Sequence, residues 1–133
     1  GAVMFAVDLV KHLDMPLQME FIRLSSYGSG FSTSGKVNAV DIKLPDLNGK
    51  NVLIVEDIVD TGLTAKFLMD FMHCNFNAKS IKFCSLLDKK ITRKVDIEPD
   101  YYGFEVDNKF VVGYGLDYEG YYRNLRYIGY KEM

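Results

Sequence analysis

Between Val52 and Val55 four apolar residues follow one another without a polar interruption. Such a run suits a strand covered on both faces, as in a parallel sheet. Asn48-Gly49 supplies a turn ahead of it. Beyond Thr61, the residues Phe67, Leu68, Phe71 and Met72 recur at i, i+1, i+4 and i+5. That spacing predicts an amphipathic helix whose apolar face is core, closing near Asn77. SIKFCSLLDKK (80–90) reads as a second strand ending in charge, and YYGFEV (101–106) and FVVGYG (110–115) as shorter ones. Near the start, AVMFAVDLVKHL (2–13) predicts a largely buried helix. Pro16 separates it from the extended QMEFIRLSS, and VNAVDIK (37–43) also reads as extended. Strand, helix, strand without an internal repeat is the order of an α/β domain with a mainly parallel central sheet. Ligands of such sheets bind beyond the carboxyl ends of the strands.

Composition narrows the function without naming it. With 133 residues, the simplest organisation is one domain spanning 1–133. A formal net charge of -2 argues against a nucleic-acid protein that relies on bulk positive charge. Cys74 and Cys84 form no CxxC pair and read as two reduced thiols. His12 and His73 lack ligand-spaced partners, so zinc is not expected. No apolar stretch approaches the roughly 20 residues of a membrane span, and no signal peptide is visible. A cytoplasmic protein without membrane contact is the expectation. The chain opens at Gly1-Ala2-Val3, without Met and inside a helical pattern, which reads as a trimmed or partial chain.

Two stretches carry chemistry. In SYGSGFSTSGK (26–36), seven of eleven residues are Gly or Ser. A segment with so little to pack reads as a mobile loop over a site, in preference to a linker. The other stretch is VEDIVDTGLT (55–64). If Asp60–Thr64 turns into the helix, its free amides face whatever sits above them. Gly62 lets the chain approach closely, Thr61 and Thr64 add hydroxyls, and the helix dipole favours an anion. Glu56 and Asp57, at the end of the apolar run, suit either two adjacent sugar hydroxyls or the water shell of Mg²⁺. Asp60 could accept a proton from a reacting group, or merely cap the helix with the other acids solvated. Neither a GxxxxGK[ST] loop nor a GxGxxG turn occurs in the chain.

The string IVEDIVDTGLT resembles the phosphoribosyl-diphosphate motif of type I phosphoribosyltransferases. FIRLSSYGSGFSTSGKV is similar to the flexible loop of that family, with Ser26-Tyr27 at its start. GKNVLIVED, CSLLDKK, YYGFEVDNKFVVGYGLDY and YYRNLRYIG look like segments of its hypoxanthine-guanine branch, so the likeness covers nearly the whole chain. The resemblance implies the type I fold, a mainly parallel sheet flanked by helices with part of a small hood. It implies that Glu56 and Asp57 bind the ribose hydroxyls with Mg²⁺ nearby. Asp60, Thr61, Gly62, Leu63 and Thr64 would hold the 5-phosphate, with Asp60 facing purine N7 as general base. Leu63 stands where family members can carry Lys, a change that a backbone cradle tolerates.

By the same resemblance, Lys89 would bond the purine 6-oxo group and Phe110 would stack on the base. Val111 would read the 2-position through its backbone, and Lys109 would help to orient the base. Asp117 is similar to the acid of a second Mg²⁺, and Arg123 to the arginine that binds pyrophosphate. Without the resemblance, Lys89, Phe110 and Val111 would pass for core, and Asp117 and Arg123 for a surface ion pair. The implied reaction moves a phosphoribosyl group from phosphoribosyl diphosphate (PRPP) to N9 of hypoxanthine or guanine, releasing pyrophosphate. A homodimer or homotetramer is expected. The family's pyrophosphate loop and part of its hood precede the position of Gly1. Two alternatives stay open: a non-catalytic nucleotide-binding regulator of the same fold, and an enzyme preferring xanthine.

Overall fold

Parallel strands need a crossover that returns the chain to the same edge of the sheet, and the segment after Val59 supplies one. The computed structural model describes residues 1–26, 37–41 and 43–132. Helix α1 is Val3–Lys11, followed by strands β1 (Arg23–Ser26) and β2 (Val37–Asp41). Strand β3 is Asn51–Val59, helix α2 Leu63–Asn75 and strand β4 Ser80–Asp88. A 3₁₀ turn at Lys90–Thr92 precedes β5 (Tyr101–Glu105), β6 (Phe110–Val112) and β7 (Gly129–Lys131). β3, β4 and β5 form a parallel sheet in that order. The pairs β1–β2 and β6–β7 are separate antiparallel ribbons. Among the described residues no helix is long and apolar enough to cross a membrane.

The middle position of β4 explains its burial. Phe83 is 1% exposed, and Ser85 and Asp88 are fully buried. Phe83 packs with Val59 and Ala65, supported by Ile54, Met69 and Ile97. A second cluster joins Leu68 and Met72 of α2 to Leu47 with Phe71 packed against it, so three of the four stripe residues are core, and Phe67 is half-buried and stacks on Phe71. β5 is an edge strand, and all five of its residues are exposed. Cys74 and Cys84 are both free.

Two expectations change. β3 continues past Val55: Glu56 pairs with Ser85 and Val59 with Asp88, so the acids lie within the ladder. Parallel pairing with the long, buried β4 carries the strand through two polar positions that an apolar-run reading stops at. The first helix is not largely buried either. Only Ala6 is buried, while Val3, Met4 and Val7 stay exposed. α1 meets β3 along one side, and the Tyr114 hydroxyl donates to Asp8.

Removing the ring at the centre of β4 tests this account of the core. Phe83→Ala should lose about 3–5 kcal/mol of stability, as large core truncations do. Ile91→Ala, at a 70% exposed position, should stay within about 0.5 kcal/mol. Urea denaturation of both variants makes the comparison.

Candidate active site

The β3–α2 junction is built around one residue. Gly62 is the N-cap of α2, with φ 85° and no side-chain hydrogen bond capping the helix. The left-handed conformation suits glycine, and space requires it too. A methyl group on Gly62 would sit 2.7 Å from Ile97 Cγ2 and 2.8 Å from Arg93 Cδ. With no side chain closing the helix, its first amides lack intrahelical partners and remain open. Leu63 N–H alone is turned to Thr61 Oγ1, at 3.4 Å. Above them lies a cavity of about 240 Å³, lined by Glu56 through Gly62, with Thr64 and Ala65. Leu63 is not part of the lining.

Asp60 does not cap α2. Its carboxylate accepts a hydrogen bond from the Thr92 hydroxyl, and its carbonyl accepts from Arg93 Nε at 3.2 Å. The next carbonyl, of Thr61, accepts from Lys94 N–H at 2.8 Å. Arg93 also donates to the Asp88 carboxylate and to the Ile97 carbonyl. The segment after β4 therefore buttresses the turn from beneath. Thr92 and Arg93 escape a reading of the sequence, because a lone Thr-Arg pair after a strand matches no motif.

The acids differ in environment. Asp57 Oδ1 accepts the Ile58 amide at 2.8 Å. Glu56 is partly withdrawn from water beside Asp57, and burial first, then that neighbouring charge, pushes its carboxyl up to about 7. Asp57 also faces the start of α1, where a methyl group on Gly1 would collide with its carboxylate and lie 3.6 Å from Arg123 Nη1. Arg123 donates to the Gly115 carbonyl at 2.7 Å and pairs with Asp117 at 3.2 Å. Asp57 and Arg123 thus converge on Gly1, with Asp117 paired to the other amino group of Arg123. Gly1 itself went unremarked as a site residue in the sequence, where it is only the first letter.

Lys89 is 8% exposed. Its amide donates to the Val59 carbonyl at 2.9 Å, which seats it next to Asp60. Among the described residues its ammonium has no carboxylate within salt-bridge reach. Lys109 and Phe110 line a different hollow of about 630 Å³, together with Asn108, Tyr130, Lys131 and Glu132. Lys109 Nζ sits 4.3 Å over the Tyr130 ring, and Phe110 meets Tyr118 edge-on at 5.6 Å. Val111 pairs with Tyr130 in the β6–β7 ribbon. Ser26 ends β1, whereas Tyr27 and the rest of the expected loop to Gly35 and Lys36 lie outside the described residues.

A strand-to-helix turn with open amides, acids before it and a parallel sheet beneath is the arrangement of a phosphate-binding α/β protein. The family model of the phosphoribosyl transferase domain matches residues 1–119. The chain belongs to the phosphoribosyltransferase family, on its hypoxanthine-guanine branch. It is 49% identical over 129 residues to the hypoxanthine-guanine phosphoribosyltransferase of Bacillus subtilis, covering 97% of this chain and 71% of that one. A hypoxanthine phosphoribosyltransferase structure from Staphylococcus aureus matches with TM-score 0.91 and 41% identity, over 99% of this chain and 71% of the other. A hypoxanthine-guanine phosphoribosyltransferase from Bacillus anthracis, with a HEPES molecule in its active site, matches with TM-score 0.92 and 43% identity. That match covers 99% of this chain and 77% of the other.

Gly62→Ala should abolish nucleotide binding, measured by calorimetry. It should also cost at least about 1–2 kcal/mol of stability, because the left-handed backbone resists a side chain. Glu56→Gln should act oppositely on stability. The folded state holds the Glu56 proton more tightly than the unfolded chain, so native stability falls as pH rises from about 4.5 to about 7. In ligand-free protein the glutamine variant should therefore be more stable by roughly 1–3 kcal/mol above pH 7. The gain should vanish near pH 4.5, as read by thermal melts across the range.

Proposed function

We propose that this chain transfers the 5-phosphoribosyl group of PRPP to N9 of a 6-oxopurine, hypoxanthine or guanine, and releases pyrophosphate. The observation that carries the reading is the cavity at the β3–α2 junction. There, open helix amides and the Thr61 and Thr64 side chains lie a few residues from the carboxylates of Glu56 and Asp57. A phosphate suits the amides, and vicinal hydroxyls suit the acids. The names of the similar proteins point to the same bases.

Displacement at the anomeric carbon leaves positive charge on the ribosyl group and negative charge on the departing pyrophosphate. In this reading Thr61–Thr64 anchor the 5-phosphate and so hold the sugar in line with the incoming base. Asp60 takes up the purine proton as N9 becomes nucleophilic. Lys89 donates to the 6-oxo oxygen, a task suited to an ammonium with no carboxylate partner among the described residues, on a residue whose amide bonds the Val59 carbonyl. Lys109, Phe110 and Val111 frame the base from the β6–β7 ribbon, and Arg123 meets the pyrophosphate. Ser26 and Tyr27, with the loop they begin, would shield the reacting centre from water.

Mg²⁺ fits the donor set. Among the described residues no group of three or more metal-ligating side chains exists. Mg²⁺ commonly takes only one or two carboxylates and completes its shell with water and substrate phosphates. Glu56 and Asp57 would hold one ion and Asp117 a second, and bound Mg²⁺ would supply charge neutralisation at the leaving group. Exposed Val3, Met4, Tyr121 and Tyr122 support assembly as a homodimer or homotetramer.

Pyrophosphate release from hypoxanthine, PRPP and Mg²⁺ tests the activity directly. Asp60→Asn should lower kcat by about 10²–10⁴-fold, the range for loss of a general base. PRPP affinity should stay within about threefold, since the phosphate contacts are mainly backbone. Binding without turnover in the unaltered chain would instead mark a nucleotide-binding regulator.

A further inference from the structure

The hydroxyl of Thr92 stands between two acceptors. One is the Asp60 carboxylate, and the other is the Lys89 carbonyl at 3.0 Å. A hydroxyl carries a single hydrogen and can donate to only one of them at a time. While Asp60 is ionised, the charged acceptor takes the hydrogen. Once Asp60 holds a proton on Oδ2, its Oδ1 keeps lone pairs, and the same hydroxyl goes on donating to it.

We propose that Thr92 is a positioning residue for Asp60, engaging its Oδ1 before and after proton uptake so that Oδ2 is the oxygen left to receive the proton. The inference rests on Asp60 being the proton acceptor of the reaction. No proton passes to Thr92. The proton leaves the purine and ends on Asp60 Oδ2, and the hydroxyl hydrogen stays on Thr92. The backbone around this contact is fixed independently. Arg93 Nε holds the Asp60 carbonyl at 3.2 Å, Lys94 N–H holds the Thr61 carbonyl, and Arg93 is itself locked to the buried Asp88. Loss of the Thr92 hydroxyl would therefore free the carboxyl and leave the turn in place. Thr92 also ends the 3₁₀ turn that begins beside Lys89, so the same residue ties the Lys89 carbonyl to Asp60.

The test compares Thr92→Val, which keeps the shape and loses the hydroxyl, with Thr92→Ser, which keeps the hydroxyl. Thr92→Val should lower kcat by about 10-fold or more, the loss expected for a hydrogen bond to a charged group. KM for PRPP and for hypoxanthine should stay within about twofold. Thr92→Ser should restore kcat to within about threefold of the unaltered chain. A Thr92→Val variant with undiminished kcat overturns the inference while leaving the proposed activity intact. So does a loss that Thr92→Ser fails to restore. If the unaltered chain releases no pyrophosphate, the proposed activity falls and carboxyl NMR decides instead. The Asp60 carboxyl carbon, followed in the three proteins, should show a changed chemical shift and faster averaging in Thr92→Val alone. An unchanged signal there overturns the positioning role.

Discussion

Everything at the site depends on keeping the start of α2 uncapped while holding its first turn still. A helix ordinarily satisfies those amides with a side chain of its own, and here that would block the cavity. The structure supplies rigidity from elsewhere. Arg93, Lys94 and Thr92, all from the segment after β4, bind the carbonyls and the carboxylate of Asp60–Thr61 from beneath. The backbone carbonyls of Asp60 and Thr61 are occupied, while of the first helical amides Leu63 N–H alone is turned back, to Thr61 Oγ1. Gly62 makes this possible twice over, through its left-handed backbone and through the space it leaves for Arg93 and Ile97.

That buttress has its own foundation. Arg93 reaches the turn because its other end is held by Asp88, a carboxylate with no exposure to water. A buried acid is tolerable only when paired, and removal of one partner of such a pair commonly costs about 3–5 kcal/mol. Among the described residues one Asp88 oxygen has no hydrogen-bond partner, which makes the arginine contact on the other still more necessary. The ion pair links the centre of the sheet to the ligand-facing turn. The shape of the turn consequently depends on β4 being in place.

The second half of the site is organised differently. Between β6 and β7 the chain turns repeatedly, with positive φ at Tyr114, Glu119 and Tyr122 as well as at Gly113, Gly115 and Gly120. Non-glycine residues seldom adopt this conformation. The tract closes on itself through the Asp117–Arg123 pair and the bond from Arg123 to the Gly115 carbonyl. It then meets the opening of α1 at Gly1. Gly1 lies between the two, beside Asp57 of β3 on one side and beside Arg123 and Gly115 of the tract on the other.

Much of this was legible in the residues alone. The apolar run before Glu56, the Thr-Gly-x-Thr turn and the stripe of α2 identify the strand, the turn and the helix, because each follows from local spacing. Family likeness then assigned roles to Lys89, Lys109, Phe110, Asp117 and Arg123. The length of β3 was not legible, since pairing with β4 rather than its own side chains carries it through Glu56 and Asp57. Nor was the exposure of Val3, Met4 and Val7, because an apolar helix does not state what it packs against. Thr92 and Arg93 were invisible for the same reason: their partners lie 32 and 33 residues away. Sequence by itself determined which groups could bind phosphate and sugar, since that is a matter of residue type and backbone freedom. Only the tertiary structure decided how those groups are held, since contacts across the sheet are set by packing between distant segments.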